Sequence, residues 1–284
     1  MSLKTLITPF AKRYIAGETR EDALKTALSL SHYRLFSAID HLGEEVTDET
    51  RSRLARDEYI SLLDDISKHG LPANVSLKLT HMGLKVSDEL TIQNVEAVIK
   101  KALELKNSVR FDMEGSQYTQ KTLDITFRFK ETYDNVGTAI QSYLKRSAGD
   151  IRLLIEKGVS VRLVKGAYKE PPDIAYPDKK DVDKNFSALM KELLLKGNQP
   201  AIATHDERLI EEAKRFAEQN NIPKGSFDFE FLLGIKNTLQ KHLAREGYRI
   251  RVYVPYGADW LAYMTRRLGE RKENIFFIIK NILD

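Results

Sequence analysis

The chain of 284 residues predicts an α/β fold, a parallel sheet of eight strands closed into a barrel and ringed by helices. Two observations predict it. Short β-type runs alternate with helix-type runs eight times along the sequence, the pattern of parallel strands joined by crossover helices. Inside many of those runs apolar and polar residues alternate with a period of two, so the two faces of a strand meet different surroundings. The length suits one such barrel with some added helices. No repeat, low-complexity run or Pro/Gly/Ser linker divides the chain. Residues 1–284 are expected to form a single domain, with 1–30 an N-terminal helical extension.

In chain order the strands are expected at RLFSAID (34–40), NVSLKL (74–79), SVRFDM (108–113), VGTAIQ (136–141), SVRLVKG (160–166), PAIATH (200–205), FDFEF (227–231) and RIRVYVP (249–255). Helices are expected at 53–70, 88–107 and 206–221. The last of these has apolar residues at 209, 210, 213, 216 and 217, a helical period. The stretch 50–70 reads, like the first 30 residues, as an addition to the basic barrel.

Alternation assigns faces. Val75, Leu77 and Leu79 oppose Ser76 and Lys78; Val109, Phe111 and Met113 oppose Arg110, Asp112 and Glu114. Val161 and Leu163 oppose Arg162; Phe227, Phe229 and Phe231 oppose Asp228 and Glu230; Ile250, Val252 and Val254 oppose Arg251 and Tyr253. The apolar faces belong against the helices, which sends the polar faces into the barrel lumen or its mouth. Most barrels fill that space with branched aliphatic side chains. Charges there are costly unless they are paired or hold a ligand. A set of buried ion pairs without chemistry is the plain alternative. Too many strands contribute polar residues for one structural network, and the polar positions fall late in each strand, where barrel enzymes build their sites.

Composition excludes several functions. The chain has no cysteine, so disulfides, thiolate catalysis and cysteine-held metals are out. A net charge of +4, with bases dispersed among acids, is too weak for nucleic acid. No stretch reaches the roughly 18 apolar residues of a membrane span, and the start lacks a signal-type apolar region. The strand ends gather Asp40, Lys78, Asp112, Gln141, Arg162, Lys165, His205, Glu230 and Tyr253. One histidine without a His-x-His or His-Glu-x-x-His pair argues for no metal, and His205 reads first as a hydrogen-bonded structural residue. A Ser/His/Asp nucleophile lacks its elbow. Two readings remain. Lys78 or Lys165 could form a Schiff base, as in an aldolase, or a basic mouth with VKGAY (164–168) could hold a large anionic cofactor, with Gly166 admitting it close to the backbone.

Eight segments, in order, resemble the proline dehydrogenase family. They are FSAIDHLGEE (36–45), VSLKLTHMGL (75–84), VRFDMEGS (109–116), TAIQSYLKR (138–146), VRLVKGAYKEP (161–171), ATHDE (203–207), FDFEFLLGI (227–235) and RVYVPYGADWLAYMTRRLGERKEN (251–274). The resemblance covers nearly everything after residue 30, and VRLVKGAY together with Y..RRLGE is its specific part. It is to the monofunctional form, since the chain ends ten residues after the last motif. It implies a distorted (β/α)₈ barrel, TIM-like, with the last helix capping the barrel mouth and non-covalent FAD across the strand ends. It also implies oxidation of L-proline to Δ1-pyrroline-5-carboxylate, the first step of proline catabolism, with electrons passed to a quinone at a membrane. A cytoplasmic location follows, and the basic, partly apolar N-terminal segment leaves room for peripheral contact at the membrane's inner face.

The resemblance also implies roles. Arg266 and Arg267, adjacent in AYMTRRLGERKEN (262–274), clamp the proline carboxylate, where guanidinium fork geometry gives paired hydrogen bonds. Lys78 adds a third cation. Tyr263 and Tyr253 approach the ring, and Leu232 lines the pocket. Glu44 pairs with the first arginine to close the site, and Glu270 orients the pair or forms a plain surface ion pair with it. Hydride passes from the ring carbon next to nitrogen to flavin N5, from an amine kept unprotonated among cations. Arg162 and Lys165 sit near N5 and favour the reduced anionic flavin. Asp112 holds Lys78 or another polar partner in place, and Glu114 stands at the same strand end among the catalytic groups. Met113, Gln141, Lys165, Gly166, Ala167, Tyr168, Thr204, His205 and Glu230 contact the cofactor, Gln141 at the isoalloxazine edge. The family commonly has Gln where Glu230 stands and often Asn where Asp206 stands. An added carboxylate at 206, near the adenine end, is expected to weaken phosphate contact if exposed to it.

Overall fold

The structure is a computed structural model that describes residues 13–260. Its strands are β1 (Phe36–His41), β2 (Ala73–Leu77), β3 (Val109–Phe111), β4 (Val136–Gln141), β5 (Ser160–Val164), β6 (Ala201–Ala203), β7 (Asp228–Leu232) and β8 (Arg249–Tyr256). Its helices are α1 (Arg20–Ser31), α2 (Glu49–Lys68), α3 (Asp88–Glu104), α4 (Ser116–Lys130), α5 (Ser147–Glu156), α6 (Lys179–Lys196), α7 (Glu207–Gln219) and α8 (Asn237–Arg245). The strands follow one another in sequence order, all parallel, and β1 closes the ring against β8.

Helix starts carry local signals. Thr19 and Asp22 form a capping box on α1, and Asp48, Ser87 and Asp206 cap α2, α3 and α7 with side-chain oxygens. Such caps satisfy amides that have no partner inside the helix. The apolar strand faces turn outward and meet the helices in one continuous core. Phe229, for example, lies 5.3 Å from Phe227 and 5.4 Å from Tyr248, edge to face. The N-terminal segment is tied to the barrel. Ala16 N–H donates to Pro255 O at 2.9 Å, Ala23 and Ala27 of α1 are buried, and Arg20 bridges to Glu58 and Asp65 of α2.

The polar strand faces fill the lumen, as the alternation predicts. In its lower part Asp228 accepts from Arg249 at 2.7 Å and Arg251 at 2.8 Å. Arg251 also reaches Asn74 Oδ1 at 2.9 Å, and Arg110 reaches Ser160 Oγ at 2.9 Å. One layer up, Glu230 takes Arg110 on one oxygen and Arg162 on the other. Three strands meet at Glu230, and pairing offsets the cost of burying each charge. The plain alternative, ion pairs without chemistry, is therefore right for the bottom of the barrel.

Four of the predicted strands, over 74–79, 108–113, 160–166 and 200–205, run too long at their C-terminal ends. Lys78, Asp112, Met113, Lys165, Gly166, Thr204 and His205 lie just past the last ladder residues. There the chain turns into the loops that form the mouth.

Candidate active site

The mouth is organised around three carboxylates and two cations. Lys78 Nζ donates to Asp40 Oδ2 at 2.9 Å and lies 3.6 Å from Asp112 Oδ2. Arg162 spans the lumen, with Nη1 on Asp112 Oδ1 at 2.6 Å and on Ser76 Oγ at 3.0 Å, and Nε on Glu230 Oε2. Tyr253 stands between the two aspartates, its hydroxyl 2.6 Å from each. Its single proton can go to either one. The Arg162 guanidinium lies over its ring at 5.3 Å, a cation–π contact. Tyr59 of α2 braces Asp40 from behind.

Protonation follows from these contacts. Burial by itself would push the Lys78 ammonium down, but Asp40 and Asp112 more than reverse this, so it is held above its ordinary value. Burial likewise opposes charge on Asp112, and Arg162 and Lys78 outweigh it, keeping the carboxylate below its usual range. Arg162 follows the same logic, burial against Glu230 and Asp112, and ends raised. The mouth therefore holds fixed charges at neutral pH. A Schiff-base lysine must lose its proton to attack a carbonyl, and Lys78 is held the other way.

Some polar capacity is left over. Gln141, buried at the end of β4, gives its amide hydrogens to Met113 O at 2.9 Å and Glu114 O at 3.0 Å. Two carbonyls fix which way the amide points. Its Oε1 then has no donor among the described residues, and neither Gln141 Oε1 nor Arg162 Nη2 is exposed to water. Buried polar atoms without partners are rare and call for a ligand or another explanation. Lys78 makes one side-chain hydrogen bond among the described residues, to Asp40, although an ammonium carries three donors.

The remaining sequence-predicted residues are spread around the same rim. Gly166 has φ +116°, and a Cβ there would fall 2.3 Å from the Tyr143 ring. The glycine is thus required by its backbone and by Tyr143, a different reason from the approach of a ligand. Lys165 pairs with Asp183 at 2.6 Å and Asp206 at 3.2 Å. Asp206 also binds Arg208 and caps α7, and these contacts overcome burial to hold its carboxyl down to about 2. The carboxylate at 206 is thus neutralised by two cations, which removes the reason to expect weakened phosphate contact. Thr204 is buried beside it and accepts the Asp206 amide at 3.2 Å. His205 Nε2 accepts the Leu232 amide at 3.0 Å, which places any ring proton of a neutral His205 on Nδ1. Leu232 packs at the rim with Tyr14, Ile15, Leu42, Ile235 and Trp260. Ala167 and Tyr168 are half-buried in the loop after β5, Met113 is buried after β3, and Glu44 is half-buried between β1 and α2.

Two of the predicted residues have their carboxylates engaged within the barrel. Arginines occupy both oxygens of Glu230, which anchors Arg162. Glu114 turns both oxygens onto Thr80. Tyr263, Arg266, Arg267 and Glu270 lie outside the described residues. Sequence reasoning missed Asp40 as the partner of Lys78, the brace at Tyr59, and Thr80. Thr80 carried a signal: it continues the polar series Ser76, Lys78 by two.

A family model described as proline dehydrogenase matches residues 23–279. Proline dehydrogenase 1 of Bacillus subtilis is 42% identical over 273 residues, covering 96% of this chain and 90% of that protein. Proline dehydrogenase of Deinococcus radiodurans is 39% identical over 278 residues, with the same coverage. Among solved structures, proline utilization A (PutA) from Bdellovibrio bacteriovorus, inactivated by N-propargylglycine, superposes with a TM-score of 0.86 at 28% identity. That match covers 94% of this chain, which spans only 33% of the larger protein.

Proposed function

The chain belongs to the proline dehydrogenase family, and on that premise we propose that it oxidises L-proline to Δ1-pyrroline-5-carboxylate with non-covalent FAD at the barrel mouth. The observation that carries the reading is Lys78. It is a locked ammonium with donors to spare, placed beside Tyr253, which suits a carboxylate and disfavours a Schiff base. Gln141 Oε1, a buried acceptor without a donor among the described residues, fits the N–H at the edge of an isoalloxazine. Gln141, Met113, Arg162, Lys165, Gly166, Ala167, Tyr168, Thr204 and His205 would hold the cofactor. When bound, FAD supplies the two-electron acceptor, taking hydride at N5 from the ring carbon next to the proline nitrogen.

This chain's own residues bind, orient and tune. Lys78 grips the carboxylate, and Arg266 and Arg267 complete the clamp, with Glu44 and Glu270 as their acidic partners. Tyr253, Tyr263 and Leu232 enclose the ring. Asp40 and Asp112 hold Lys78 and Tyr253 where the substrate needs them. Lys78 and Arg162 oppose an ammonium on the substrate and favour the neutral amine that reacts, against the pull of Asp40 and Asp112. Arg162, fixed by Asp112 and Glu230, supplies positive charge beside the reacting centre without having to move. Among the described residues no helix is long and apolar enough to cross a membrane. We assign the electrons to a quinone reached at a membrane surface. The test is spectroscopic and kinetic. The purified protein takes up FAD, turns yellow, bleaches with anaerobic proline and recovers with a soluble quinone. A protein that stays colourless with added FAD, but is trapped at Lys78 or Lys165 by borohydride and a carbonyl compound, would reverse the assignment.

A further inference from the structure

We propose that Thr80 and Glu114 are positioning residues for the mouth segment 42–46, and that the ionisation of Glu114 sets how firmly that segment is held. The segment includes Glu44, so the idea rests on the reading of the mouth as a proline site.

The geometry is a one-way chain of hydrogen bonds. Glu45 N–H donates to Thr80 Oγ1 at 2.9 Å, and Val46 N–H donates to Thr80 O at 3.2 Å. Two consecutive amides of the segment therefore end on one residue. Both donors of Thr80 end in turn on Glu114. The hydroxyl reaches Oε2 at 2.5 Å and the backbone amide reaches Oε1 at 3.1 Å. Glu114 is only 2% exposed, and its own carbonyl is held by Gln141. The segment needs this support because Glu45 has φ +56°, a left-handed conformation that side-chain-bearing residues disfavour. Lys85 and Tyr118 hold the Glu45 carboxylate from outside.

The chain is strongest with an ionised Glu114, because a hydrogen bond to a carboxylate is about twice as strong as one to a neutral carboxyl. A hydroxyl has one proton, and Thr80 gives its proton to the carboxylate while accepting from Glu45. Once Glu114 carries a proton, it accepts more weakly, or it donates to Thr80 Oγ1 and leaves the Thr80 hydroxyl proton without an acceptor; either way the anchor of the Glu45 amide is held less firmly. Burial pushes the Glu114 carboxyl up to about 7 despite the two bonds from Thr80, so the exchange falls within an accessible pH range. The titratable groups facing it are Lys78 from the end of β2, which opposes protonation, Glu44 of the segment itself, which favours it, and Tyr118 of α4.

The test uses the FAD-loaded enzyme as wild type, Glu114→Gln, Thr80→Val and Thr80→Ser. Hydrogen exchange over 42–46 reads the segment without substrate. Tetrahydrofuran-2-carboxylate reads the site, since it keeps the ring and carboxylate of proline but has no titrating amine. In wild type, protection at Glu45 and affinity for this probe should both fall about tenfold from roughly pH 8.5 to 5.5, the worth of one hydrogen bond. Thr80→Ser should keep that response, and Glu114→Gln and Thr80→Val should flatten it. A wild-type response retained in Glu114→Gln, or no response in wild type, overturns the proposal. If the exchange responds but the probe never binds, the positioning stands and the proline reading fails.

Discussion

The lower lumen and the mouth of this barrel are built from the same charged residue types, yet they differ in what is left over: the carboxylates below are fully occupied, and among the guanidiniums holding them Arg110 Nε lacks a partner among the described residues. Below, all four carboxylate oxygens of Asp228 and Glu230 are taken by Arg249, Arg251, Arg110 and Arg162. Above, Lys78 keeps donors in reserve, Gln141 Oε1 has no donor among the described residues, and Tyr253 stands between two aspartates. Buried charge alone therefore does not mark a site. What marks the mouth is polar capacity that the described residues do not use, beside groups whose charge is locked. Arg162 joins the regions, with Glu230 on its Nε and Asp112 on its Nη1.

Breaking the lower region should have the largest effect. Glu230→Ala leaves Arg110 and Arg162 with a lost partner, and removing one member of a buried pair costs about 3–5 kcal/mol of stability. Chemical denaturation should show it, together with lost activity because Arg162 is released. Unchanged stability would mean that the lower network is not structural. A pH scan of stability comes next. Glu114 binds its proton more tightly folded, at about 7, than at its ordinary 4.5. Its contribution to stability is therefore greatest below about pH 4.5 and is lost as the pH rises through about 7. The loss is roughly 3 kcal/mol. Glu114→Gln should thus gain relative to wild type between pH 5 and 8, and a constant difference would contradict the shift.

Lys78→Met should raise KM for proline by about 10- to 100-fold, the worth of a charged hydrogen bond of about 1.5–3 kcal/mol. A change confined to kcat would place Lys78 elsewhere in the reaction. Asp206→Asn should be the mildest. An amide still caps α7 and still accepts from Lys165 or Arg208, so stability should move by less than about 1 kcal/mol. FAD affinity, read by equilibrium dialysis, should change by less than about threefold. A large gain in affinity would show that the carboxylate still repels the cofactor.

Much of this was legible because period two is a strong signal. Val161–Arg162–Leu163 and Phe229–Glu230–Phe231 announce which side chains enter the lumen, and the eight strands follow in order. Which of them meet was not legible. Alternation cannot say that Arg162 and Glu230 meet, because that depends on the stagger between strands, here Arg162 beside Ala201 and Glu230 beside Ala203. The direction of Glu114 was hidden as well. It is decided by Thr80, a residue past the end of β2 and 34 positions away along the chain. Gly166 was read as admitting a ligand close to the backbone, and its closeness to the Tyr143 ring was hidden because that ring comes from another strand end.

The mouth's claim to be a flavin and proline site is tested most directly by an absorbance titration of the purified protein with FAD, followed by anaerobic proline. The account predicts one FAD per chain and loss of the oxidised flavin band on adding proline, both impaired in Gln141→Leu and Lys78→Met respectively. A protein that binds no FAD, or whose bound flavin stays oxidised in excess proline, would contradict it.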